Sequence, residues 1–290
     1  MGGTSGVIQI PPFFDLTQQQ IKFNQMETTL RTFFNQMETT LRTFTFIAPS
    51  GHSFEIREQN GEDEEILSNQ ADARNLMNLT KFIAGIVVST NFTTSGKLLV
   101  KDVLDLPLLD RYAILFQSRI FSLGNMITFE YTWSKDNKVQ YEQDLREFLF
   151  DDYSKAPTEE ELDAKPDAVP YYPNITQAKD NELKLSSGKI VQWDYLDGNG
   201  EIFLLNLPDN KKTRNSDLLA RNLRLNVEGK FEKVTNFRLF SVMDMAEMRK
   251  GILSQDPIFQ GLTDIENPST GEVTKYPILA APTFFYLTEA

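Results

Sequence analysis

The stretch that decides the fold is Leu106-Pro-Leu-Leu-Asp110-Arg-Tyr-Ala-Ile-Leu-Phe-Gln-Ser-Arg119-Ile-Phe-Ser-Leu-Gly124, followed by Ile127-Thr-Phe-Glu-Tyr-Thr-Trp133. In the first part apolar residues recur at helical spacing, with Pro107 at the start and Gly124 at the stop. In the second they alternate with polar ones, as in a strand with one buried face. Ser134 to Lys138 reads as a turn and Val139 to Tyr141 as the returning strand. Asp144 to Phe150 closes the block as a short amphipathic helix or strand. The order is helix, strand, polar turn, strand. It recurs near the end: Met243 to Leu253 is helical, Thr263 to Glu266 is extended, Asn267-Pro-Ser-Thr-Gly271 is a tight turn, and Glu272 to Ile278 returns. The fold class expected is therefore α+β, with two helix-plus-β-hairpin modules.

Upstream, Phe23-Asn-Gln-Met-Glu-Thr-Thr-Leu-Arg-Thr-Phe33 is repeated without change as Phe34 to Phe44. An 11-residue step returns nearly to the same helix face. Phe23, Met26, Leu30, Phe33, Phe34, Met37, Leu41 and Phe44 are expected to form one apolar stripe on a helix of about six turns. Such a stripe is either a packing face or a set of anchors for a partner protein. These eight residues are the candidate partner-binding set. Phe44-Thr-Phe-Ile47 and Ser53-Phe-Glu-Ile-Arg57, about a Pro49-Ser-Gly51 turn, read as a hairpin. The acidic run Glu62 to Glu65 opens a helix, where carboxylates face the positive helix end. Ala71 to Val88 is expected to continue as helix.

Four domains follow: residues 1–45, an N-terminal helical arm; 46–150, an α+β module; 151–187, a Pro-rich acidic linker or long loop; and 188–290, a second α+β module. Within the last, Asp197-Gly-Asn-Gly200 between apolar runs reads as a hairpin turn. It also resembles the middle of a calcium-binding EF-hand loop, but Tyr195 and Asn206 stand where acidic ligands belong. Ser216 to Leu223 is a short helix.

The 290 residues carry 29 Lys+Arg against 41 Asp+Glu, a net charge of -12, with one histidine and no cysteine. Without cysteine there is no thiol nucleophile, disulfide framework or thiolate-bound metal. A catalytic triad would have to rest on His52 alone, and His52 lies in a turn without clustered partners. The acidic balance opposes nucleic-acid binding, and the small basic turn of Lys211, Lys212 and Arg214 is too short for such a footprint. No apolar run approaches the roughly 20 residues of a membrane span, and the first residues show no secretory pattern. Arg111 and Arg119, on one helix, are expected in structural salt bridges. No phosphate-binding or nucleophile-elbow motif is present. No catalytic, cofactor or metal site is expected, and the chain reads as non-enzymatic.

The run Ile47-Ala-Pro-Ser-Gly51, the helix start Glu62-Asp-Glu-Glu-Ile-Leu67, Leu108-Leu-Asp-Arg111 through Ser118-Arg119 and Ser122-Leu-Gly124, and the closing Ile265 to Gly271 turn with Phe284-Phe285 resemble baseplate assembly proteins of contractile-tailed bacteriophages. The pieces are short and fall within 45–150 and 240–290. In that family such blocks often carry cysteine pairs in their turns; here the corresponding turns, Trp133 to Lys138 and Asn267 to Gly271, have none. The resemblance implies a viral protein without cofactor, acting on other tail or baseplate proteins in the cytoplasm of an infected bacterium, as a chaperone-like assembly factor or as a part of the virion. A permanent structural role in a tail or injection particle is the alternative. A carboxylate-dependent, metal-assisted hydrolase is a third reading, which would need convergent acids in a pocket.

Overall fold

The computed structural model describes residues 41–172 and 181–286. β1 (Thr43–Ile47) and β2 (Ser53–Arg57) form the expected hairpin, in register from Thr43 opposite Arg57 to Ile47 opposite Ser53. The turn closes with Ala48 N donating to His52 O at 2.8 Å, and Gly51 takes a φ of 83° that disfavours side-chain-bearing residues. The helix expected through Phe44 therefore does not reach that residue: Phe44 lies in β1. Period-two alternation with β-branched Thr43, Thr45 and Ile47 outweighs the 11-residue repeat here. Six of the eight stripe residues, Phe23 to Met37, lie outside the described residues.

The acidic run does start a helix, α1 (Gly61–Ser68). The Asn60 side chain accepts from Glu62 N and Asp63 N, and Asp63 returns a bond to Asn60 N at 2.8 Å, a capping box. Asp63 is buried and also receives both terminal nitrogens of Arg57, at 2.6 and 2.8 Å. The helix expected over 71–88 is divided into α2 (Gln70–Ala73) and α3 (Met77–Ile86), with Leu76 at φ 58° between them. Val87 and Val88 then leave for β3 (Val87–Thr90), which pairs with β2 and completes a sheet of order β1-β2-β3.

After α4 (Val100–Leu104) comes α5 (Leu108–Leu123), bounded by Pro107 and by Gly124 at φ 87°. Its Leu109, Ala113, Ile114 and Phe116 are buried. β4 (Met126–Ser134) and β5 (Asn137–Asp144) form the expected hairpin, and Leu145–Phe148 is a short 3-10 turn. The segment after it is no free linker up to Tyr172. It carries a short helix, α6 (Glu159–Ala164), and buries Tyr153, Ala168, Val169 and Tyr172. Tyr153 Oη donates to Val169 O at 2.8 Å, and Val169 N to Phe148 O at 2.9 Å. Its apolar residues outweigh the Pro-rich, acidic composition that suggested a linker.

β6 (Glu182–Lys184), β7 (Ile190–Gln192), β8 (Arg224–Val227) and β9 (Lys230–Lys233) form an antiparallel sheet in that order. Between β7 and β8 lie α7 (Gly198–Asn206) and α8 (Ser216–Ala220). Asp197-Gly-Asn-Gly200 is thus a helix start and not a hairpin turn: Asp197 accepts from Gly200 N at 2.7 Å. α9 (Val242–Gln255) leads to β10 (Leu262–Glu266) and β11 (Val273–Pro277), an antiparallel pair, so both blocks keep the order read from sequence. The architecture is α+β with small antiparallel sheets.

Buried side chains group these elements differently from the expected division at residue 188. One cluster runs from Phe46 to Tyr172 and resumes with Phe259, Ile265, Ile278 and Phe284. A second is confined to residues 185–252, around Trp193, Leu218, Met245 and Met248. The chain thus leaves the first core, builds the second, and returns. The returning hairpin packs on the earlier one. Phe129 stacks on Tyr276 at 4.3 Å with planes 10° apart, Tyr141 Oη donates to Glu266 O at 2.8 Å, and Thr283 Oγ1 donates to Thr128 O at 2.6 Å.

Candidate docking surface and the polar seam

The start of α5 brings three consecutive polar residues inward. Asp110 is fully buried and accepts from Ser50 N at 2.9 Å and from Ser50 Oγ. Burial pushes its carboxyl up to about 7, against the opposing pull of the two Ser50 donors. Tyr172 is also raised by burial, and its hydroxyl has no partner among the described residues. Arg111 donates to Val103 O at 3.1 Å and Thr80 Oγ1 at 3.2 Å, and reaches Glu201 at 3.5 Å; burial lowers its pKa. Tyr112 Oη donates to the other Glu201 oxygen at 3.4 Å. Glu201 is raised by burial and pulled back by Arg111.

These residues form a seam between the two cores. Leu108 N donates to Leu196 O at 2.8 Å, and Asn199 Nδ2 donates to Leu104 O at 3.2 Å and Asp105 Oδ1 at 3.0 Å. Gly198 allows the close approach: a Cβ there would stand 2.2 Å from Arg111 Nη1 and 3.1 Å from Leu104 Cα. Farther along, buried Arg221 pairs with buried Asp256, and with Asp217 at 3.0 Å, while Asp256 accepts from Leu196 N at 2.9 Å. The buried acids along the seam are each tied to a different partner, which fixes geometry instead of presenting convergent carboxylates. Among the described residues no three His, Cys, Asp or Glu side chains could together hold a metal ion.

The expected salt bridge is present for Arg111. Arg119 differs: its guanidinium donates to Gly124 O at 2.6 Å and Met126 O at 3.2 Å, closing the C-terminus of α5 on carbonyls. His52 is half-buried, its Nδ1 3.3 Å from Asn91 Oδ1 and its ring edge-on to Phe92 at 5.2 Å. In the basic turn, Lys212 pairs with Asp209 at 3.0 Å.

Of the candidate partner-binding residues, Leu41 and Phe44 are described. Leu41 is half-buried, and Phe44 is 38% exposed. Phe44 stacks against Phe46 at 6.2 Å and Phe121 at 5.6 Å, so it belongs partly to the first core. The apolar surface missed from sequence is at the start of α9. Leu239, Val242 and Met243 are exposed, Val242 at 85% and Met243 at 69%. The helix end beneath them is fixed by a capping box, Ser241 Oγ accepting from Asp244 N at 3.0 Å and Asp244 from Ser241 N at 2.9 Å. The signal lay in that spacing: Met243 precedes Met245 by two residues, about 200° around the helix from the side that Met245, Met248 and Ile252 bury. Among the described residues no helix is long and apolar enough to cross a membrane.

Comparison with protein-family models, with curated proteins and with solved structures finds no match.

Proposed function

We propose that this chain works without catalysis, through contacts with other proteins, as an assembly protein of a contractile phage tail or baseplate. The observation that supports protein contact is the capped start of α9, where Val242 and Met243 stand at the surface of a formed helix. A helix already formed and capped needs no further backbone ordering on binding, and its exposed apolar side chains can bury apolar area there. The tail assignment rests on the sequence resemblance in the α5 and hairpin blocks. On this reading the protein acts in the infected cell on other tail components.

The test is sedimentation of the full chain alone and mixed with each product of the genes adjacent to its own. A faster-sedimenting species with a tail component, weakened by Met243→Ser, supports the proposal. No new species with any of them contradicts it. Stoichiometric copies in purified particles would favour the permanent structural role over transient assembly.

A further inference from the structure

Between the segment following Phe150 and the last turn of α9 lies an open groove of about 380 Å3. Its lining is largely apolar: Phe150, Pro157, Leu162, Pro170 and Tyr171 face it, with Ser254 contributed by α9. Phe150 is buried, whereas Leu162 is 47% exposed on α6. Prolines fix much of this wall before anything binds, because their φ is already set.

The segment that walls the groove is net acidic, although Lys165 itself lines it. Residues 151–167 hold seven carboxylates against two lysines, Lys155 and Lys165. Both lysines are engaged, Lys155 with Asp152 at 3.2 Å and Lys165 with Asp151 at 3.5 Å and Leu149 O at 3.0 Å. Glu159, Glu160 and Asp163 are exposed on the same short helix as Leu162, and make no ion pair among the described residues. Glu161 is occupied in capping, its carboxylate accepting from Thr158 N at 2.7 Å.

We infer that this groove docks a short basic, amphipathic segment of another protein, its apolar side chains against Leu162, Tyr171 and the prolines and its cationic ones facing α6. Complementary charge selects that occupant. A second copy of this chain, at net charge -12, would bring like charge to this net acidic segment. The inference deepens the protein-contact reading by naming a partner chemistry, and it does not depend on that partner being a tail protein.

The experiment is fluorescence anisotropy of the purified full chain with a labelled synthetic peptide of leucine and lysine at helical spacing. A control peptide has serine in place of leucine. One variant is Leu162→Ser. The other combines Glu159→Gln, Glu160→Gln and Asp163→Asn, and spares the capping Glu161. Thermal melts accompany both, and these exposed positions should leave them unchanged. The expected result is saturable binding of the leucine peptide alone, weakened roughly tenfold in each variant. In the acid-depleted variant the salt dependence is also reduced. Equal affinity in wild type and both variants overturns the inference. Self-association of the wild type that Leu162→Ser abolishes also overturns it, since the occupant is then a second copy. Peptide binding with no response to neighbouring gene products would support the groove and sink the tail assignment; the reverse pattern would do the opposite.

Discussion

The paired hairpins and the seam at the start of α5 both join segments distant in the chain, with opposite chemistry. Between β4–β5 and β10–β11 the contact is aromatic: Phe129 lies flat on Tyr276, and Tyr131 meets the same ring edge-on at 6.1 Å. Along the seam it is ionic: Arg111 with Glu201, and Arg221 with Asp256. Aromatic burial stabilises each side independently of its partner's charge. A buried ion, by contrast, is tolerated only while its counter-ion is in place. The difference predicts how each region fails.

The largest effects come from single truncations in either region. Phe116 is fully buried, with Phe148, Phe259 and Phe284 centred 5.1 to 5.7 Å away. Phe116→Ala is expected to cost about 3–5 kcal/mol in urea unfolding. Arg221→Ala should cost a similar ~3–5 kcal/mol by stranding Asp256. What separates them is rescue. Replacing Arg221 and Asp256 together by apolar residues of similar size should restore most of the loss, whereas a second truncation beside Phe116 should deepen it. Rescue in neither region, or in both, would erase the distinction.

A pH series sharpens it. Burial holds the Asp110 carboxyl near 7, above its ordinary 3.8, so the folded state binds a proton that the unfolded state releases. The contribution of Asp110 to stability is therefore fullest below about pH 4 and falls as pH rises toward 7. It then stays lower, by roughly 4 kcal/mol for a shift of this size. Asp110→Asn should flatten that contribution in unfolding curves measured across the same range. A slope that persists unchanged in the variant would assign it elsewhere.

A smaller effect is expected at the crossing of α7 and α5. Gly198→Ala places a methyl against Arg111 and the Leu104 backbone. The expected loss is about 1–3 kcal/mol in thermal or urea unfolding. Full stability would mean that the seam is looser than its distances imply.

How much of this was legible in the sequence follows the same divide. Local signals were sufficient where structure is local. Pro107 and Gly124 bounded α5, Ile127 to Trp133 marked β4, and Asn267 to Gly271 marked the last turn. The acidic start of α1 was visible too, although the burial of Asp63 against Arg57 was not. What failed depended on distant partners. Asp197-Gly-Asn-Gly200 carries equal signals for a hairpin turn and for a helix cap; the seam, through Asn199 and the Pro107–Asp197 bridge, decides for the cap. Likewise, Tyr153, Val169 and Tyr172 fall within the stretch read as a Pro-rich linker or long loop, because their burial depends on partners outside it, such as the 145–148 turn. The candidate site was less legible than the fold. The duplicated segment drew attention by its repetition, while at the start of α9 the local spacing sets Met243 apart from the buried face but does not state that nothing covers it.

The claim that matters most is that these surface apolar residues serve binding and not folding. The most direct measurement uses the double variant Val242→Ser with Met243→Ser, comparing its unfolding free energy and its affinity for the partner found by sedimentation. Removing exposed side chains from a capped helix should change stability by no more than about 0.5 kcal/mol, while affinity falls at least about tenfold. Affinity equal to wild type would contradict the account, as would a loss of stability large enough to place Val242 and Met243 in the core.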